Sequence, residues 1–206
     1  MKKPLKLNFK DMNPKKTLVL VVDLQNDFCH EKSVLTKKNT KNRKCAIAVY
    51  KFIEEAKKRG VAVAFTQQIY DESKLTPRQK QYYKKHGNIC CKKGSFGAEY
   101  YKYQPTNDKM FVKYNFDIWQ NKEFIKFLDD KKIDTLIITG VELLCCVSFA
   151  VLGADERGFN IVVPKDLVSG VDDSIKQQEN MLNTIGTLYG PVVSSKKILR
   201  VWDKYY

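Results

Sequence analysis

Apolar residues in this chain come in two rhythms. Thr17–Val22 is an unbroken β-branched and aliphatic run that ends at Asp23, the pattern of a strand buried on both faces of a parallel sheet. Residues 40–59 then place Ala46, Val49, Tyr50, Ile53 and Ala56 at helical spacing, and Gly60 stops them. The alternation continues. Residues 61–66 read as a second strand and 111–113 as a short third. Phe124, Ile125, Phe127 and Leu128 give a helix face, and 135–139 is a fourth strand ending at Gly140. A helix over about 144–157 closes at Gly158, 161–163 is a fifth strand, 173–188 a helix and 191–193 a short sixth strand. Strands alternating with helices predict a doubly wound α/β fold: a mostly parallel six-stranded sheet with helices on both faces, a Rossmann-like three-layer sandwich. No repeat or linker divides the chain, so 1–206 reads as a single domain.

Residues 68–109 resist this scheme. They are polar and carry Tyr70, Tyr82, Tyr83, His86, Tyr100, Tyr101 and Tyr103. Such a stretch reads as a functional loop or lid with room for a helix, or as an excursion packed on a neighbouring subunit. Because aromatics are enriched at interface cores, this segment predicts a homo-oligomer, dimer or tetramer.

Composition narrows the class. With 43% hydrophobic and 29% charged residues, and only 10 Gly and 6 Pro in 206, the chain is ordinary globular protein. No apolar run approaches a membrane span, and basic Met1-Lys2-Lys3-Pro4 has no apolar stretch behind it until Leu18. The expected location is therefore the cytosol, with no membrane partner. The net charge is +14, but Lys supplies nearly all of it: Arg occurs only at 43, 59, 78, 157 and 200. Nucleic-acid readers favour Arg, so the charge reads as a solvated surface and nucleic acid is not the expected partner. The six cysteines (29, 45, 90, 91, 145, 146) show no zinc spacing, and adjacent cysteines rarely bridge each other. They read as reduced thiols, with no metal and no cofactor.

In a parallel α/β sheet ligands gather at the carboxyl ends of the strands. There the pattern places Asp23 after strand one, Lys113 at the end of strand three, and Cys145 and Cys146 just beyond strand four. Singly, each has a bland reading as a turn residue, a solvated lysine or a small core thiol; together on one rim they suggest chemistry. A lysine and a helix N-terminus favour thiolate, a carboxylate can move its proton, and backbone N–H groups can bind an oxyanion.

These residues also carry a resemblance. LVLVVDLQNDF (18–28), GSFGAE (94–99), KYNF (113–116), IDTLIITGV (133–141) followed by Cys146-Val147 and GADERG (153–158), and DLVS (166–169) resemble, in order, the motifs of the isochorismatase-like cysteine hydrolases. The resemblance spans about 15–195. It implies a catalytic triad of Asp23, Lys113 and Cys146, a cis peptide between Val141 and Glu142, and an oxyanion hole from the N–H groups of Glu142 and Cys146. Between the two adjacent thiols it selects Cys146, expected as partly thiolate near neutral pH, with Cys145 packed and inert.

Departures from the family matter too. Leu143-Leu144 replaces a common Thr-Asp, and Asp117-Ile118-Trp119 replaces the usual continuation of the lysine motif. Phe28, Trp119, Leu143 and Leu144 are the expected substrate-binding residues. Family nicotinamidases hold metal on an Asp/His cluster after strand two, where this chain has Gln67-Gln68-Ile69-Tyr70; His30 reads as a loop histidine. By resemblance, true isochorismatases lack the nucleophilic Cys, so the thiol favours hydrolysis of a C–N bond in a small amide or carbamoyl substrate through a thioester. The rival expectations are a non-catalytic or regulatory member of the fold, and a metal-independent hydrolase of another small substrate.

Overall fold

The computed structural model describes residues 12–33, 40–86 and 89–205; the basic start of the chain lies outside them. Six strands form one sheet: β1 (Thr17–Val22), β2 (Ala62–Gln68), β3 (Lys109–Lys113), β4 (Thr135–Gly140), β5 (Asn160–Pro164) and β6 (Val192–Val193). Their order is β3-β2-β1-β4-β5-β6 and every pairing is parallel. The expected sheet is therefore wholly rather than mostly parallel. The order of strands reverses direction between β1 and β4, the kind of switch point at which such sheets bind ligands.

Central β1 shows why an unbroken apolar run was needed. Leu18, Leu20 and Val22 enter one core and Val19 and Val21 the other, all but sealed from solvent. Burying an aliphatic side chain of this size contributes about 1.5–3 kcal/mol. On the Val19 side the sheet is covered by α2 (Thr40–Lys58), α7 (Ser195–Trp202) and the one-turn α1 (Asn26–Cys29). On the Leu18 side it is covered by α4 (Lys122–Asp130), α5 (Ser148–Asp155) and α6 (Ile175–Leu188).

Three differences from the sequence pattern have physical causes. First, the helix expected from residue 144 begins as a π-helical turn, Leu143–Val147, and becomes α only at Ser148. The Val147 N–H reaches back to the Glu142 carbonyl (3.2 Å), an i to i−5 bond that widens the turn. Second, the described part of residues 68–109 packs against the chain's own core. They contain α3 (Pro77–His86), and most of their tyrosines turn inward: Tyr103 stacks on Tyr50 and Phe65, the Tyr100 ring meets Phe65, and Tyr83 packs on Tyr70. Among the segment's described tyrosines only Tyr82 is exposed. The aromatic argument for an oligomer therefore fails, because these rings fill the chain's own core. Third, α7 was not anticipated; its Trp202 is fully buried and stacks on Phe52 of α2.

Candidate active site

Four adjacent strands bring their carboxyl ends to one place. Asp23 follows β1 directly, Thr66 and Gln68 end β2, Lys113 ends β3, and Gly140 ends β4 ahead of the Cys146 turn. Ladder register aligns them: Val22 pairs with Thr66 and with Gly140, and Gln68 pairs with Lys113.

Asp23 adopts a left-handed backbone (φ 49°), which aspartate tolerates better than most side chains. Its carboxylate is completely buried. Thr66 Oγ1 donates to one oxygen at 2.6 Å, and Lys113 Nζ pairs with the other at 2.7 Å. Lys113 is 3% exposed and also donates to Gln68 Oε1 (2.7 Å), to the Asn115 carbonyl (3.0 Å) and to Cys146 Sγ (3.2 Å). The ammonium thus sits between a carboxylate and a sulfur. Burial alone would depress its pKa; the Asp23 charge and then Cys146 outweigh burial and hold it above the ordinary lysine value.

Cys146 corrects an expectation. Burial pushes its thiol well above the usual cysteine value, the Asp23 carboxylate adds to the rise, and Lys113 only partly opposes it. That direction runs against the partial thiolate expected from the sequence. The lysine and the helix start expected to favour thiolate are offset by the Asp23 carboxyl group, and the helix start is a π turn. Cys145, half-buried, is also raised, chiefly by burial.

The turn carrying Cys146 is firmly built. Gly140 has φ 102°, and a Cβ there would lie 2.1 Å from the Val22 carbonyl oxygen. Its N–H bonds the Leu167 carbonyl, its carbonyl accepts from Ser169, Val141 N–H bonds Val22, and Leu143 N–H bonds Ser169. The Val141–Glu142 peptide is cis. The N–H groups of Glu142 and Cys146 make none of these bonds. Glu142 is largely buried, accepts from Asn42 Nδ2 at 2.6 Å, and is pushed up to about 7 by burial, opposed by Asn42 and the Val171 backbone.

The residues expected to bind substrate are dispersed. Trp119 is a core residue: its indole N–H bonds the Ala150 carbonyl, and its ring lies against Phe124, Phe159 and the face of α5 kept clear by Gly153. Leu143 is completely buried in the same core, and Leu144 is half-buried. Phe28 is buried at the edge of the other core, its carbonyl held by Asn42. Sequence reasoning missed Thr66, Gln25 and Gln68. Gln25 spans the Gln68 and Ala98 backbones while Gln68 aims its carboxamide oxygen at Lys113. The sequence shows only that they are polar residues at or just beyond apolar strands; their burial is what singles them out.

The end of β2 does not fit a metal of the nicotinamidase kind. Gln68 is engaged with Lys113, and Gln67, Ile69 and Tyr70 offer neither carboxylate nor imidazole. His30 lies edge-on to Phe96 and Tyr101, and its Nδ1 accepts from the Lys32 N–H. Asp27, Cys90 and Cys91 bring possible ligand atoms within 4.8 Å of one another, but an Asp27 oxygen already accepts the Cys91 N–H at 2.7 Å.

Residues 17–197 match the family model described as "Isochorismatase domain". The chain belongs to the isochorismatase family of hydrolases. A curated relative, a probable inactive nicotinamidase from Arabidopsis thaliana, is 28% identical over 167 residues, covering 77% of this chain and 83% of the relative. The fold is shared with a cysteine hydrolase from Pseudomonas syringae pv. phaseolicola 1448A (TM-score 0.87, 21% identity, 100% of both chains). It is shared also with N-carbamoylsarcosine amidase from Thermoplasma acidophilum (TM-score 0.72, 21% identity, 87% of this chain and 96% of that one).

Proposed function

We propose that this protein is a cysteine hydrolase that cleaves the C–N bond of a small amide or carbamoyl compound, with Asp23, Lys113 and Cys146 as its triad. The observation that carries the reading is the Lys113 ammonium, 2.7 Å from Asp23 and 3.2 Å from Cys146, with all three residues buried on the carboxyl rim of the sheet. As Cys146 Sγ attacks the carbonyl carbon, its proton passes to Asp23, so thiolate exists only as the bond forms. The oxyanion is assigned to the N–H groups of Glu142 and Cys146, at the start of the turn that carries the nucleophile. Lys113 offsets the negative charge of the cluster and fixes Asp23. Asp23 returns the proton to the departing ammonia or amine, then deprotonates the water that hydrolyses the thioester and restores the thiol. No step calls for a metal. A reducing cytosol suits the free cysteines.

A screen for ammonia release across amides, ureas and carbamoyl compounds tests the reading. Turnover by the wild type and none by Cys146→Ala is the expected result; turnover retained by Cys146→Ala overturns the triad. One observation favours a second reading, a non-catalytic member of the fold: the Arabidopsis relative carries the name of a probable inactive nicotinamidase. Compounds that raise the melting temperature of the wild type yet are never consumed would select it. Assembly as a dimer or tetramer is retained on a different surface from the tyrosine segment: Phe116 and Phe149 touch and lie exposed, with Leu152 exposed one turn further along α5. Light scattering at micromolar concentration reads it directly.

A further inference from the structure

Two of the buried thiols take no part in the hydrolytic cluster. Cys90 donates its S–H to Cys91 Sγ at 3.4 Å. Cys91 is sealed from solvent and holds a left-handed backbone (φ 53°), a conformation that costs a side chain more than a glycine. What keeps it there is specific. Its N–H donates to Asp27 Oδ2 (2.7 Å), its carbonyl accepts the Tyr70 N–H (2.9 Å), and its sulfur lies 3.7 Å from the Gly97 carbonyl. Cys90 keeps 7% of its surface exposed, and its neighbours Ile89 and Lys92 line a surface cavity of about 190 Å³ shared with Tyr70 and Lys93. The same contacts lead to the triad. Tyr70 is near enough to Cys90 and to Cys146 for both sulfurs to add to the rise that burial gives its phenol. Ala98, next to Gly97, anchors Gln25, which fixes the Gln68 that holds Lys113.

We infer that Cys90 and Cys91 are a peroxide-responsive dithiol site, closing to a disulfide between neighbouring residues that draws Cys91 away from Asp27 and Tyr70 beside the triad. Adjacent cysteines seldom bridge, but these two already have their sulfurs in contact. In the reaction a Cys90 sulfur lone pair attacks a peroxide oxygen, the O–O bond breaks, and one water (or alcohol) leaves to give the sulfenic acid. Cys91 sulfur then attacks the Cys90 sulfur, the S–S bond forms and a second water leaves. Both thiol protons end in water, and the two electrons lost by the sulfurs reduce the peroxide. Neighbouring Cα atoms are about 3.8 Å apart, closer than the roughly 4.4–6.8 Å usual across a disulfide. The closed form is strained and therefore readily reduced by thiols, which makes the change reversible.

Hydrogen peroxide on the full-length reduced protein tests this, followed by denaturation, thiol titration and peptide mapping. Two of the six thiols should disappear, the peptide holding 90 and 91 should lose the mass of two hydrogens, and dithiothreitol should restore both. Cys90→Ala, and Cys91→Ala as a second variant, each checked for folding by melting temperature, should form no such peptide. Cys90 and Cys91 left reduced while Cys146 is consumed, a sulfenic acid that never closes, or a metal ion held by both sulfurs in the isolated protein would each overturn the proposal. The effect on turnover rests on the hydrolase reading: oxidised wild type should lose about tenfold or more in kcat/KM and recover on reduction, with Cys90→Ala indifferent. No turnover by the reduced protein counts against the hydrolase reading alone. Disulfide formation with unchanged turnover counts against the coupling to the triad.

Discussion

A lysine with 3% of its surface exposed must be compensated, and Lys113 is compensated by one carboxylate, a carboxamide, a carbonyl and a sulfur. Truncating it leaves the buried Asp23 carboxyl group without its ion-pair partner. Lys113→Ala should therefore destabilise the fold by about 3–5 kcal/mol in urea unfolding, besides removing activity. Asp23→Asn keeps the shape but not the base and should lower kcat by about 10²–10⁴-fold. Because Lys113 is held above its ordinary pKa and the Cys146 thiol well above its own, kcat/KM should show no fall at alkaline pH below about 10, where an ordinary lysine titrates. A fall between pH 8 and 9 would mean that the thiol ionises far more easily than its burial allows. Glu142 acts in the opposite sense. Its folded pKa, about 7, lies above the unfolded value, so it binds a proton more tightly when folded. The stability it contributes is present in acid and lost as pH rises through 7. Glu142→Gln, always neutral, should gain on the wild type between pH 5 and 8, by on the order of 2 kcal/mol in paired unfolding curves.

At the scale of the element, the turn after β4 is the critical piece. Gly140→Ala would set a methyl group against the Val22 carbonyl and force a positive φ on alanine. It should cost about 3 kcal/mol or more and shift the nucleophile, read as a lowered melting temperature together with lost turnover. The sequence made much of this element legible. Buried strands announce themselves by unbroken β-branched runs, and Gly60 and Gly158 mark helix ends by taking the left-handed backbone that the pattern anticipated. It did not reveal the π turn, which lies where Val22 and Ser169 grip the backbone of Val141 and Leu143 from distant parts of the chain. The rim position of Asp23, Lys113 and Cys146 could be read from strand ends, whereas the roles of Gln25 and Gln68 emerge only when distant segments meet: Gln25 is held by the Gln68 and Ala98 backbones and Gln68 accepts from Lys113. Trp119 misled because a large aromatic near a motif looks like a pocket wall until Gly153 is seen to make room for it in the core.

Across the whole molecule, the +14 charge comes almost entirely from lysines scattered along the chain, with only five arginines. Binding to a random-sequence DNA duplex, followed by fluorescence anisotropy, should be weak at 50 mM salt and vanish by 200 mM, as for purely electrostatic contact. Tight binding at the higher salt would demand a different function. Prolonged dialysis against a strong chelator should leave both melting temperature and turnover unchanged, since β2 offers no metal ligands at its end. The strand order carries a further consequence. Central β1 lies between β2 and β4, and Leu18 pairs with Leu136, more than half the chain away. During synthesis the acid and the ammonium emerge first and can meet across β1, β2 and β3, but the sulfur arrives only when β4 slots in on the far side of β1. A chain stalled before that point holds Asp23 and Lys113 without the third member of the proposed triad, so under that reading the site is completed only when the centre of the sheet closes.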